Sequence, residues 1–192
     1  MNLPNKLTLL RILLVPVIVI IPFFKALNEI VLFTIDNSFT LANLIVLIIF
    51  IVASVTDYLD GHLARKNNQI TDFGKLMDPL ADKILVIATL IVLMKWERMY
   101  GWVIIIIVAR EFLVTGIRQL GVAKGQVIAA SYFGKAKTVT QMITIIYLLI
   151  FAPGFNSATG IIGIVLIICA TLLTVASGLD YVIKNKNLIQ SM

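Results

Sequence analysis

The chain has 192 residues, 60% of them hydrophobic, with a mean hydropathy of +1.02 and a net charge of +6. These values exclude a soluble domain with a large core and point to an integral membrane protein whose spans form one compact bundle over residues 1–192. The cationic excess sets orientation and attracts anionic lipid rather than nucleic acid, and a single cysteine, Cys169, allows no intramolecular disulfide.

Six spans are predicted in chain order, near 7–24, 39–65, 72–94, 100–118, 132–151 and 157–183. A span needs about 20 residues at about 1.5 Å each. No small-residue cleavage site follows the first, so it is expected to be retained. The third is informative. Its purely apolar part, Ile84 to Met94, has only 11 residues, and reaching 23 requires the polar stretch from Asp72. Its acids therefore belong to the helix and dip below the membrane surface. The fourth span likewise contains Arg110, Glu111 and Arg118. Polar ends on several helices on one side imply a shared wet cavity. The expected fold is an all-α membrane protein, a six-helix transmembrane bundle with a polar cavity at its cytoplasmic side.

With the N-terminus inside, only Lys25, Lys95 and Arg98 of the 16 Lys and Arg lie outside. That bias places both termini in the cytoplasm of a multi-pass cell-membrane protein. Trp96, Tyr100 and Trp102 read as an outer interfacial belt, and Lys184 and Lys186 as a cytoplasmic anchor.

The chemistry lies between the second and third spans. Asp57, Asp60, Asp78 and Asp82 fall in one short stretch of an otherwise apolar protein. Two carboxylates roughly 6 Å apart, at an effective dielectric near 20, repel by about 3 kcal/mol. A positive partner is therefore required, and a set of carboxylate oxygens suits a hard divalent cation. No His or Cys cluster argues for zinc. Asp57 and Asp60 are three apart and share one helical face; Asp78 and Asp82 are four apart and share another. The short link from Lys66 to Thr71 makes the two helices antiparallel neighbours. Gly61 and Gly74 clear space beside the acids, Pro79 is expected to distort its helix, and Arg65 stands where a cation would meet a phosphate. Asp72 reads as a helix cap, and His62, the only histidine, as a boundary residue.

The string D-x2-D-G-x2-A-R-x8-G-x3-D-x3-D, filled here by Asp57, Asp60, Gly61, Ala64, Arg65, Gly74, Asp78 and Asp82, resembles the signature of the CDP-alcohol phosphatidyltransferase family. The opening Asn2 to Arg11, with Arg110-Glu111-Phe112 and Gly116-Ile117-Arg118, is similar to the bacterial phosphatidylglycerophosphate synthase branch. The resemblance implies one or two Mg²⁺ or Mn²⁺ ions held by Asp57, Asp60 and Asp78, with Asp82 as a further ligand and general base. It implies CDP-diacylglycerol and sn-glycerol 3-phosphate as substrates, membrane lipid as surroundings, and a homodimer. Gly61, Ala64, Arg65 and Gly74 then face the nucleotide, and Asn5 and Thr8 either join them or cap the first helix. Arg110, Arg118, Lys135 and Lys137 are expected at the acceptor phosphate; Arg110 and Arg118 are about 80° apart around a helix. Their alternative role is as anchors that snorkel to the interface. Glu111 is expected to pair with one of the arginines. Inositol phosphate and serine are rival acceptors within the family, and a small cation transporter is the remaining different class.

Overall fold

Thr40 and Asn43 show how local chemistry places a helix start. The Asn43 carboxamide oxygen accepts from the Thr40 backbone N–H at 2.9 Å, and the Thr40 hydroxyl accepts from the Asn43 N–H at 3.4 Å. This reciprocal cap starts α3 at Leu41. The computed structural model describes residues 3–35, 37–66, 72–126, 128–129, 131–186 and 188, with side chains described outside 3–6, 35, 37, 57–66, 72–76 and 78.

Among the described residues the chain is mostly helical. The order is α1 (Leu3–Ile20), a 3-10 turn (Ile21–Phe23), α2 (Lys25–Glu29), β1 (Val31–Ile35), β2 (Asn37–Thr40), α3 (Leu41–Lys66), α4 (Asp72–Lys95), α5 (Gly101–Ala123), α6 (Tyr132–Ile150) and α7 (Ala158–Lys184). Two compact units emerge: Met1–Met99 with Leu148–Ala152, and Tyr100–Tyr147 with Pro153–Met192.

The expectation of an all-α chain needs a correction. The segment assigned to an outer connection contains an antiparallel hairpin, pairing Val31 with Thr40, Phe33 with Phe39 and Ile35 with Asn37, with an irregularity between Val31 and Phe33. Its first strand, Val-Leu-Phe-Thr-Ile, is built of residues that suit a pleated surface, and Phe33 stacks on Phe39 with ring centroids 4.5 Å apart. Phe39, expected to open the second span, therefore belongs to β2. The helix α4 continues through Pro79, which has no N–H to offer the carbonyl of Lys75.

In the first unit, α1 packs against α3 and α4, and α3 against α4. Ile18, Val46, Phe50, Leu85, Leu90 and Leu93 are fully buried there. In the second unit, α5 packs against α7, and Val114, Ile117, Tyr181 and Leu188 form a buried cluster. Many large apolar side chains point outward, Leu13, Ile105 and Phe112 among them. Helices apolar on their outer faces as well as their inner ones suit a lipid environment. Among the described residues, α7 alone is long and apolar enough by composition to cross a membrane. The apolar stretches Leu7–Phe23 and Leu41–Thr56 are shorter.

Candidate active site

The acid-bearing positions share a depth because three helices share an end. The helix α1 runs into the 3-10 turn, and α3 starts from β2, where the Leu41 N–H donates to the Ile30 carbonyl at 2.9 Å. The far end of α4 returns to this layer: the Lys95 ammonium lies 4.6 Å above the Phe23 ring, and the Trp96 indole donates to the Asn28 carboxamide at 3.2 Å. So α3 runs antiparallel to both α1 and α4. At about 1.5 Å per residue, Asp57 and Asp60 lie about 24 and 29 Å along α3 from Leu41, and Asp82 and Asp78 about 20 and 26 Å along α4 from Lys95. Thr8 lies about 18 Å along α1 from Ile20, at the same end.

Asp82 is half-buried and already engaged by a partner, and Thr8 is buried on α1. Arg11, counted from sequence only as an inner cation, is 2% exposed, one helical turn from Thr8. That burial separates it from a surface anchor. The i, i+3 spacing of Thr8 and Arg11 was the available signal. The side chains of Asn5, Asp57, Asp60, Gly61, Ala64, Arg65, Gly74 and Asp78 lie outside the described ones, as does the link 67–71. The fit of a divalent cation therefore rests on the donor set: four carboxylate-bearing positions toward the same end of two packed helices.

The second unit organises the basic residues around Glu111 and α7. The carboxylate of Glu111 accepts from the Arg110 guanidinium at 3.0 Å and from the Lys137 ammonium. It therefore pairs with two cations where sequence suggested one. The Arg110 Nε–H donates to the Ser177 hydroxyl at 2.9 Å. Arg110 lies against Gly178, where a Cβ would come within 3.2 Å of its Cγ, and beside Gly134. These two glycines keep open the path its side chain takes. The Arg118 Nε–H donates to the Tyr181 hydroxyl at 2.8 Å, and no carboxylate among the described residues pairs with it. Lys135 is exposed on the first turn of α6, while Lys137 is buried. Thus Arg110, Glu111 and Lys137 come together, and Lys135 does not join them. Ser177 and Tyr181 carried no sequence signal for a role, because hydroxyls on an apolar helix have many other uses.

A profile of the CDP-alcohol phosphatidyltransferase family matches residues 1–176. Among curated relatives, the chain is 43% identical over 187 residues to the CDP-diacylglycerol–glycerol-3-phosphate 3-phosphatidyltransferase of Bacillus subtilis (strain 168), covering 96% of this chain and 95% of that protein. It is 37% identical over 181 residues to the like-named protein of Rickettsia typhi, covering 94% of each. It is 36% identical over 183 residues to a probable phosphatidylglycerophosphate synthase of Mycobacterium tuberculosis, covering 95% of this chain and 81% of that one. The family is membrane-associated and generally dependent on a divalent cation. A match across nearly the whole chain, together with relatives of this identity and coverage, makes the conclusion plain: the chain belongs to the CDP-alcohol phosphatidyltransferase family.

Proposed function

We propose that this protein transfers the phosphatidyl group of CDP-diacylglycerol to sn-glycerol 3-phosphate, giving phosphatidylglycerol phosphate and CMP. What supports the reading is that α3 and α4, which carry Asp57, Asp60, Asp78 and Asp82 toward the same end, pack as antiparallel neighbours. The acceptor follows from the relatives, whose names state this transfer or its product.

Asp57, Asp60 and Asp78 would hold the cation, Mg²⁺ or Mn²⁺, with Asp82 as a further ligand. When bound, such an ion neutralises charge on the diphosphate and stabilises CMP as a leaving group. Asp82 takes the proton from the primary hydroxyl of glycerol 3-phosphate. That oxygen forms a bond to the β-phosphorus, the bond from phosphorus to the bridging oxygen breaks, and CMP departs with the electron pair. Gly61 and Gly74 admit the nucleotide close to the backbone, Ala64 and Arg65 flank it, and Asn5 and Thr8 reach it from α1. Arg110, Arg118, Lys135 and Lys137 receive the acceptor phosphate. Positioning and charge neutralisation supply most of what phosphoryl transfer needs.

The same proposal places α1, α3, α4, α5, α6 and α7 across the membrane as a single catalytic domain, with both termini and the site cytoplasmic, in a homodimer. The thirteen inner cations support that orientation. The test is turnover of purified protein on CDP-diacylglycerol with glycerol 3-phosphate, inositol phosphate or serine, with and without chelator. CMP release with glycerol 3-phosphate alone, lost on chelation and restored by Mg²⁺ or Mn²⁺, is the expected result. Release with another acceptor alone would reassign the substrate, and chelator-insensitive release would remove the cation.

A further inference from the structure

Ser177 and Tyr181 share an arrangement that exceeds packing. Each is buried on α7, and each spends its hydroxyl hydrogen on a backbone carbonyl: Ser177 on Thr174 at 3.1 Å, Tyr181 on Ala129 at 2.8 Å. Each oxygen is thereby left as an acceptor, and each accepts the Nε–H of one arginine, Ser177 from Arg110 at 2.9 Å and Tyr181 from Arg118 at 2.8 Å. A hydroxyl that already donates strengthens as an acceptor.

The spacing adds a second observation. Arg110 and Arg118 are eight residues apart, about 12 Å along α5, whereas Ser177 and Tyr181 are one turn apart, about 6 Å along α7. The two hydroxyl acceptors are therefore closer together along their helix than the two arginine positions are along theirs. The Arg118 guanidinium lies 5.4 Å from the Tyr181 ring centroid and its hydrogen bond to the hydroxyl uses Nε, so among the described residues its terminal nitrogens carry no hydrogen bond, and a guanidinium edge matches phosphate in a bidentate manner.

We propose that Tyr181 and Ser177 are positioning residues for the acceptor: each holds one arginine by its Nε–H and so turns the terminal nitrogens of Arg118, and the Nη2 of Arg110 whose Nη1 is held by Glu111, toward a single phosphate of the incoming alcohol. This rests on the assignment of Arg110 and Arg118 to that phosphate. The lone-pair role also explains a tyrosine at 181, since phenylalanine would fill the same volume but leave the Arg118 Nε–H without its acceptor.

The experiment compares the full-length enzyme with Tyr181→Phe, Ser177→Ala, Arg118→Ala and the double variant Tyr181→Phe/Arg118→Ala, reading KM for glycerol 3-phosphate and for CDP-diacylglycerol separately. Tyr181→Phe and Ser177→Ala should each raise KM for glycerol 3-phosphate about tenfold, the size of one charged hydrogen bond, with KM for CDP-diacylglycerol changed by less than about twofold. In the Arg118→Ala background, Tyr181→Phe should cost nothing further. An unchanged KM for glycerol 3-phosphate, an equal rise for both substrates, or an undiminished loss in the Arg118→Ala background overturns the positioning role. Should Tyr181→Phe fail to fold, Ser177→Ala decides by the same split. If Arg118→Ala itself leaves KM for glycerol 3-phosphate untouched, the acceptor-site assignment has failed. If Arg118→Ala raises it and neither hydroxyl variant does, only the positioning role has failed.

Discussion

A carboxylate near the end of a membrane helix is costly unless it has a partner, and this chain shows two solutions. Glu111 is neutralised by protein cations, Arg110 and Lys137, and so acts as a structural counter-ion. The proposed function gives Asp57, Asp60, Asp78 and Asp82 the other solution, an added cation among like charges. Asp82→Asn keeps the shape but removes the carboxylate proposed as the base. Turnover should fall by about 10²–10⁴-fold or more, while binding of a CDP-containing nucleotide largely remains. Substantial residual turnover, measured as CMP release, would take the proton-accepting role from Asp82. Arg118 differs from Arg110 in lacking a carboxylate partner among the described residues. Arg118→Ala should therefore raise KM for glycerol 3-phosphate well above its effect on KM for CDP-diacylglycerol. Loss of one charged hydrogen-bonding group predicts about 10–100-fold. Equal changes in both constants would assign Arg118 to general anchoring.

Helix ends decide where these side chains are delivered. The helix α5 stops in a left-handed residue, Gly125 at φ 71°, with the Gln126 N–H returning to the Gly121 carbonyl at 2.8 Å. The helix α4 stops in the same manner at Glu97, φ 58°, with the Arg98 N–H returning to the Leu93 carbonyl at 2.8 Å. Because Glu97 is not glycine, this second stop carries a steric cost. The helix α7 begins at Ser157, whose hydroxyl accepts from the Gly160 N–H at 3.0 Å, while Gly160 presses on Gly154. A Cβ at Gly160 would lie 2.5 Å from the Gly154 carbonyl oxygen, a backbone atom that cannot rotate away. Gly160→Ala should therefore destabilise the protein by about 1–3 kcal/mol, visible as a lower melting temperature in detergent. An unchanged melting temperature would mean that this contact relaxes freely.

At the scale of the whole chain, Arg98 is a long-range tie within the first unit. Its guanidinium donates to the carbonyls of Leu149 at 2.8 Å, Leu148 at 3.2 Å and Ser38 at 3.1 Å. It joins the turn after α4 to the hairpin and to the last turn of α6. Burial lowers its pKa to about 10, so it remains charged at neutral pH. Arg98→Leu would leave three carbonyls without their donor and should cost about 2–4 kcal/mol of stability. Arg98→Lys should recover only part of this, because an ammonium cannot span the same three acceptors. Equal melting temperatures for Arg98→Leu and the unaltered protein would remove the tie.

How much of this was legible beforehand follows from the range of each force. The helical repeat links residues three and four apart, so the sequence alone determined that Asp57 with Asp60, and Asp78 with Asp82, share faces. The signature spacing, the apolar stretches and the cationic bias are likewise local or additive properties. The hairpin at 31–40 was missed because its short apolar run carries the same signal as a membrane-edge connection. Which partner meets which cation was not legible. Arg110 meets Ser177 across 67 positions, Arg118 meets Tyr181 across 63, and Arg98 meets Leu149 across 51. Those pairings depend on the rotation and crossing of helices whose Leu, Ile and Val surfaces are nearly interchangeable. The sequence by itself therefore determined which side chains each helix carries and at what height, whereas only tertiary packing, by choosing one rotation of each helix, decided which hydroxyl and which carboxylate meet the arginines.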